Sequence, residues 1–137
     1  MQQLQIKLTG STRLFLILAS LLGASGVALG AYASHGLAAW ATLKQIEYFQ
    51  LAVTYQLFHA IALLAVCILS LFITNAFLIA SKIAFVSGVF LFSGSLYLYV
   101  FTGTKILGAI TPIGGLLLIV AWLLIALGLF SHKNNAK

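Results

Sequence analysis

The sequence predicts an all-α membrane protein, one domain over residues 1–137 built as a bundle of four transmembrane helices with both termini in the cytoplasm. Hydrophobic residues make up 63% of the chain and charged residues 6%, whereas a soluble domain carries about a quarter charged residues. The apolar residues form four long runs, and a membrane core needs about 20 helical residues to cross it. Five of the seven cations flank one side of these runs, which predicts that this side is cytoplasmic.

The four predicted helices cover residues 14–35, 49–72, 78–101 and 112–130. Helices are expected because each backbone N–H and C=O must be paired within lipid. The first apolar run has about 20 residues, longer than the usual 7–15 of a signal peptide, so an uncleaved first helix is favoured. The short stretch 36–47 is expected to form an interfacial helix that roofs the outer half.

The start of the fourth helix has two interpretations. Thr111 suits an N-cap and Pro112 suits the first helical turn, where its missing N–H is not needed. The alternative is a helix that begins near Lys105 and is kinked at Pro112. Because Lys105 is flanked by Gly103 and Gly108, a loop before Thr111 is the preferred prediction.

The cation count also predicts the location, a multi-pass protein of the bacterial plasma (inner) membrane. The cations on the predicted inner side are Lys7, Arg13, Lys82, Lys133 and Lys137, against Lys44 and Lys105 on the outer side. All five tyrosines then fall in or beside the outer half. An interfacial aromatic belt, as membrane proteins commonly have, would contain Trp40, Tyr48, Tyr97 and Tyr99.

Glycines at three- and four-residue steps predict close helix contacts, because small residues let helix backbones approach in lipid. The predicted packing positions are Gly23, Gly26, Gly30, Gly88, Gly94, Gly114 and Gly115.

Polar side chains within the outer half predict a binding site. Tyr55, Gln56 and His59 are expected to share one helical face, and polar groups within a span are costly unless they find partners or serve a function. The proposed lining is His35, Tyr55, Gln56, His59, Ser93, Ser95, Tyr97 and Thr111. Together with the N–H groups that begin the fourth helix, it would favour a carboxylate or phosphate group. The alternative is a purely structural hydrogen-bonded cluster.

Several function classes are disfavoured by what the sequence lacks. No carboxylate lies within a predicted span, no serine has a visible base and acid, and no glycine-rich phosphate loop occurs, so we expect no enzyme activity and no catalytic residue. Cys67 is the single cysteine, and His35 and His59 differ in depth by roughly 10–15 Å, so neither a metal nor a cofactor is expected. Singly scattered cations argue against nucleic acid. The expected partner is the lipid bilayer, and a homo-oligomer or a membrane-protein partner is left open.

Four motifs in order resemble one family. Residues 23–37, GASGVALGAYASHGL, resemble the GAxGVxLGAFGAHGL signature of the YgdD-like or transmembrane protein 256-like family (domain of unknown function 423). The stretches 55–60, 91–97 and 110–115 are similar to its three other motifs. This chain departs from the family pattern at three places. It has Tyr32 where the family has Phe, Ala33-Ser34 where the family has Gly-Ala, and Ala121, before Trp122, where the family has Gly. These departures imply slight repacking of the first and last helices. The resemblance implies a small multi-pass membrane protein without an established activity, and no catalytic residue is carried over.

Three functions therefore compete at the level of sequence. The leading interpretation is a non-enzymatic membrane protein whose outer pocket binds a lipid-like or small polar ligand, or docks a partner. A small transporter or channel subunit is the second, although a proton-coupled exporter would have to use His59 in place of an acid. An accessory or assembly subunit of a respiratory membrane complex is the third, and it rests on the two histidines.

Overall fold

The fold is known from a computed structural model that describes the backbone of residues 8–135 and the side chains of residues 8–132. Helix α1 spans Gly10–His35, α2 Leu43–Leu69, α3 Ala76–Thr102 and α4 Leu107–Asn135, and a short 3₁₀ helix, Leu37–Ala39, follows α1. Four helices in this part of the chain are long and apolar enough to cross a membrane. Of the cations used to predict the orientation, Lys7, Lys137 and the Lys133 side chain lie outside the described residues.

The first three helices begin before their apolar runs, because polar residues cap their N-termini. Thr9 and Asn75 each accept a hydrogen bond from the backbone N–H three residues later, at 3.2 and 3.0 Å. Thr42 and Gln45 form a reciprocal capping box at the start of α2, which satisfies two N–H groups that no helix bond can reach. The interfacial helix predicted over residues 36–47 was wrong. These residues instead contain the one-turn 3₁₀ helix Leu37–Ala39 and the first residues of α2, which begins at Leu43.

The predicted start of α4 was also wrong, and the observed start is close to the one in the alternative interpretation, near Lys105. The helix begins at Leu107, and Pro112 lies inside it. Thr111 does not cap it, because its hydroxyl donates to Leu107 O within the same helix, at 3.2 Å. Gly103 ends α3 with a φ of 66°, a left-handed conformation that glycine adopts without steric cost. The chain therefore reverses within a few residues, and Gly108 is left inside α4.

Consecutive helices are antiparallel, and each packs chiefly against its neighbour in the chain. α2 and α3 form the central pair, α1 lies against α2, and α4 lies against α3, so that α4 and α2 diverge. The main core joins side chains from all four helices, among them Ala19, Leu63, Leu78, Phe85, Leu118 and Ala121. We call the end that carries Thr9 and Asn75 the termini end, and the end that carries Trp40 and Gly103 the tyrosine end.

Helix contacts use five of the seven predicted packing glycines. A Cβ atom on Gly26 would lie 2.6 Å from the Leu57 side chain, and one on Gly88 would lie 2.6 Å from that of Leu118. The other three contact positions are Gly30 against Val53, and Gly114 and Gly115 against Phe92. Gly23 and Gly94 depart from the prediction, since a Cβ there would meet nothing within 4 Å. Small residues at this spacing define one face of a helix, but they do not show how much of that face contacts the neighbouring helix.

Candidate functional site

The predicted polar residues do not form one cluster, because neighbouring positions on a helix point in different directions. Successive residues are rotated by 100°, so Tyr55 and Gln56 cannot share a face as expected. Gln56 faces α1 and α3, whereas Tyr55 and His59 face the space between α2 and α4. His35 is exposed at the end of α1, apart from the rest. The structure therefore distributes these side chains among separate helix contacts.

Gln56 joins three helices through its buried amide, which is only 4% exposed. Its Nε2 donates to Leu22 O at 2.9 Å and to Ser25 Oγ at 2.8 Å, both on α1. Its Oε1 accepts from the Tyr97 hydroxyl of α3 at 2.9 Å. A primary amide has two donors and one acceptor oxygen, so this site uses both of its functions. Ser25 was not predicted as part of the site.

Short hydroxyl bonds hold α3 to both of its neighbours. Ser93 donates to Ala52 O of α2 at 2.7 Å. On the opposite side, Ser95 Oγ lies 2.7 Å from Thr111 Oγ1 of α4. Ser81, which was not singled out from the sequence, donates to Ala121 O of α4 at 2.8 Å. Each of these bonds joins polar groups of two helices within the membrane-spanning segments.

His59 is held as a neutral ring by two partners. Its Nδ1 lies 2.8 Å from Tyr55 O, and because a carbonyl only accepts, Nδ1 carries the proton. Nε2 is then free to accept the weaker bond from the Trp122 indole N–H of α4, at 3.4 Å. A protonated ring would present an N–H to that indole donor and lose this bond. Trp122, the residue that links His59 to α4, was missed because an isolated tryptophan in an apolar run carries no positional signal.

A groove lies between α2 and α4, and α3 forms its floor. Near the tyrosine end it encloses about 570 Å³, and it continues toward the membrane centre as a second space of about 420 Å³. Phe92 and Pro112 line both parts. The first part is lined by Tyr48, Leu51, Phe92, Leu96, Tyr99, Lys105, Gly108, Thr111 and Pro112. The second is lined by Tyr55, His59, Phe92, Pro112, Gly115, Leu116, Leu118, Ile119 and Trp122.

The side chains that line this groove are more polar at its mouth than in its deeper part. Lys105 and the tyrosines Tyr48 and Tyr99 lie at its mouth, and the deeper walls are aromatic and aliphatic. Tyr55 stacks on Phe92 with ring centroids 4.3 Å apart, which gives the middle of the groove a flat aromatic wall. Pro112 lacks the N–H that would bond Gly108 O, so one carbonyl at the groove wall has no i+4 donor.

The enclosed polar groups are satisfied by one another. Among the described residues, no fully enclosed side-chain nitrogen or oxygen lacks a hydrogen-bond partner. In the same part of the chain, no three His, Cys, Asp or Glu side chains come together as metal ligands. The buried polar groups thus bond to other groups of the protein, whereas Lys105, Tyr48 and Tyr99 line the open groove.

Comparison with known proteins shows similarity to a family of membrane proteins. Residues 29–115 match the family described as "Protein of unknown function (DUF423)". The "UPF0382 membrane protein" of Haemophilus influenzae is 41% identical over 120 residues, which cover 88% of this chain and 96% of that protein. The "UPF0382 membrane protein YwdK" of Bacillus subtilis is 36% identical over 115 residues, 82% of this chain and 93% of that protein. No solved structure matches the chain.

The two relatives are matched over most of their length, and the family match at residues 29–115 includes α2, α3 and all residues that line the first part of the groove. The chain is thus a multi-pass membrane protein, and it belongs to the DUF423 family.

Proposed function

We propose that this protein is a non-enzymatic lipid-binding protein of the bacterial inner membrane, which holds a phospholipid in the groove between α2 and α4. The acyl chain lies on α3 and the headgroup lies at Lys105. The observation that carries the proposal is the open groove between two membrane-spanning helices, which has an apolar lining and a cation at its mouth.

The dimensions of the groove suit an acyl chain. Its α4 wall extends from Gly108 to Trp122, and 14 helical steps of 1.5 Å make about 21 Å. This length lies within the roughly 30 Å of a bilayer core. Because lipid tails are as apolar as the groove, hydrophobic transfer gives no preference for this site. Selectivity comes from close packing on the aromatic wall and from the headgroup.

The mouth of the groove favours an anionic headgroup. Lys105 supplies a positive charge there, and Tyr48 and Tyr99 supply phenol groups. The only acid of the chain, Glu47, is not among the lining residues. A lysine near a membrane surface attracts anionic lipid by about 1 kcal/mol. We therefore expect phosphatidylglycerol or another anionic phospholipid to be preferred over phosphatidylcholine.

The proposed orientation has both termini in the cytoplasm, which places the groove mouth in the outer leaflet. Five cations precede α1, follow α4 or lie toward the termini end, against Lys44 and Lys105 at the tyrosine end. An excess of Lys and Arg marks the cytoplasmic side. The bacterial membrane-protein relatives support the inner membrane as the location.

Two glycines give a matched pair of variants to test the groove. A side chain on Gly108 would enter the groove, and one on Gly94 would not, although neither would meet protein atoms within 4 Å. We expect native mass spectrometry of wild-type protein from mild detergent to show a one-to-one adduct with an anionic phospholipid. Gly108→Leu should lose most of this adduct, and Gly94→Leu should keep it.

The same spectra contain the outcomes that would contradict the proposal. An adduct that survives equally in both variants would place the lipid elsewhere on the protein. A wild-type mass of two chains without lipid, shifted to one chain by Gly108→Leu alone, would identify a second copy of the chain as the occupant of the groove.

A further inference from the structure

Lys82 is a buried cation at the termini end, far from the groove mouth. The sequence places it at the border of a loop, but the structure puts it on the second turn of α3, about 9 Å from the helix start. Its side chain is only 2% exposed. Buried lysines are rare in membrane proteins and mark functional positions unless they are paired.

Within residues 8–132, no carboxylate is placed to neutralise Lys82. The only acid, Glu47, is near the start of α2 at the tyrosine end. The ammonium group instead contacts the Phe15 ring, whose centroid lies 5.5 Å from Nζ. A cation–π contact of this kind attracts the charge but supplies no hydrogen-bond acceptor to the three N–H donors of the ammonium group.

A pocket of about 250 Å³ surrounds this charge. Its volume is roughly eight times the share of one liquid water molecule. The lining residues are Thr9, Ser11, Thr12, Ser70, Ile73, Thr74, Asn75, Leu78, Ile79 and Lys82. Two of the polar neighbours bond elsewhere, since Asn75 donates to Gly128 O and Ser70 donates to Val66 O. Among the described residues, no hydrogen bond satisfies the ammonium group.

Two helix N-termini meet at the same pocket. Thr9 caps α1 and Asn75 caps α3, and both line the pocket. First-turn N–H groups and the positive end of the helix dipole favour an anion at such a position. The end of α2 at Ser70 opposes them in part, but Lys82 adds a full positive charge to the two partial ones.

We propose that this pocket binds a phosphate group, with Lys82 as its charged donor and the starts of α1 and α3 as its walls. The site is separate from the lipid groove, because the two lie at opposite ends of the helices. The phosphate belongs either to the headgroup of a lipid in the adjoining leaflet or to a free phosphate ion. The hydroxyl and ammonium groups offer the same donors to both.

The rate at which individual lysines of the wild-type protein are acetylated tests whether phosphate binds at Lys82. Acetic anhydride would be applied in brief pulses, and the modification of Lys82 and of exposed Lys44 would be followed by peptide mass spectrometry. Inorganic phosphate should slow the acetylation of Lys82 at least threefold relative to chloride at equal ionic strength and leave Lys44 unchanged. If the natural source is a lipid, the protection should instead appear in nanodiscs of phosphatidylglycerol and not in those of phosphatidylcholine.

Equal Lys82 rates in all four conditions would overturn the proposal, as would equal protection of Lys44. A second measurement covers the case in which Lys82 is too buried to react. The protective ligand should raise the thermal midpoint of the wild type and of Lys44→Met, whereas Lys82→Met, which keeps the side-chain length, should lose this shift. A shift retained by Lys82→Met contradicts the assignment.

Discussion

Gln56 is the residue on which the contact of α1 with the central helix pair most depends. One amide bonds Leu22 O and Ser25 of α1 and the Tyr97 hydroxyl of α3. Loss of such a side chain leaves several buried polar groups unpaired at once, and each unpaired group costs more than a typical hydrogen bond contributes.

We therefore expect Gln56→Leu to lower the free energy of unfolding by about 1–3 kcal/mol, measured by titration with a denaturing detergent. Gln50→Leu is the control, because Gln50 is an exposed glutamine of the same helix. Equal stability of the two variants would show that the hydrogen bonds of Gln56 to α1 and α3 contribute little to the free energy of unfolding.

Gly114 is the tightest of the glycine contacts. A Cβ atom there would collide with the backbone of Phe92 and Leu91 on α3, which cannot move as a side chain can. Gly114→Ala should therefore destabilise the protein by about 1–3 kcal/mol. Gly94→Ala, at a position open to its surroundings, should be neutral or slightly stabilising because alanine favours the helix. Thermal unfolding of both variants in one detergent checks this, and the reverse order would contradict the packing of α4 on α3.

The sequence predicts which polar residues are buried better than it predicts their partners. Gln56, His59, Ser93 and Ser95 are all buried as expected, since their cost in lipid does not depend on the neighbouring helix. Their partners depend on rotation about each helix axis and on which helices are adjacent, and both are set by tertiary packing. For this reason the predicted single cluster is observed as separate bonds, and the groove between α2 and α4 was not predicted.

Among the helices, α4 is the one that contains a proline close to its start. The helix continues through Pro112, although the proline removes one backbone bond to Gly108. The starts of α1, α2 and α3 were also placed too late, because the prediction followed the apolar runs, whereas the caps Thr9, Thr42 and Asn75 start these helices at Gly10, Leu43 and Ala76. The start of α4 was misjudged because a Thr-Pro pair is typical of a helix start, whereas the turn at Gly103 already completes the reversal of the chain.

Pro112→Ala should restore an N–H that donates to Gly108 O. We expect the thermal midpoint to rise, since a proline within a helix costs up to about 3 kcal/mol relative to alanine. Lipid binding in the groove should fall, because Pro112 lines both of its parts. Thermal unfolding and native mass spectrometry on the same sample measure the two effects, and a lower midpoint would contradict a helix that runs unbroken from Leu107 through Pro112.

The whole molecule is an open row of helices, in which α2 and α3 are covered on both sides and α4 stands away from α2. Hydropathy predicts four spans because the cost of crossing lipid is a property of each segment alone. The divergence of α2 and α4 could not be predicted, since it arises from the close contact of α4 with α3 at Gly88 and Gly114.

The orientation can be measured with introduced cysteines in a Cys67→Ala background. Thr104 and Thr74 are exposed at the tyrosine and termini ends, respectively. A membrane-impermeant maleimide added to intact cells should label Thr104→Cys, and should label Thr74→Cys only after the membrane is permeabilised. The opposite pattern would reverse the orientation and move the groove mouth to the inner leaflet.

The most direct test of the lipid groove is to map where an acyl chain lies against the protein. Reconstituted wild-type protein would be irradiated with an anionic phospholipid that carries a photoactivatable group on its chain, and the adducts would be located by mass spectrometry. We predict adducts concentrated on groove-lining residues such as Leu96, Pro112 and Leu116. The exposed face of α1, with Leu14, Leu21 and Val27, serves as the internal reference for ordinary bilayer contact. Adducts as frequent on that face as in the groove would contradict a bound lipid.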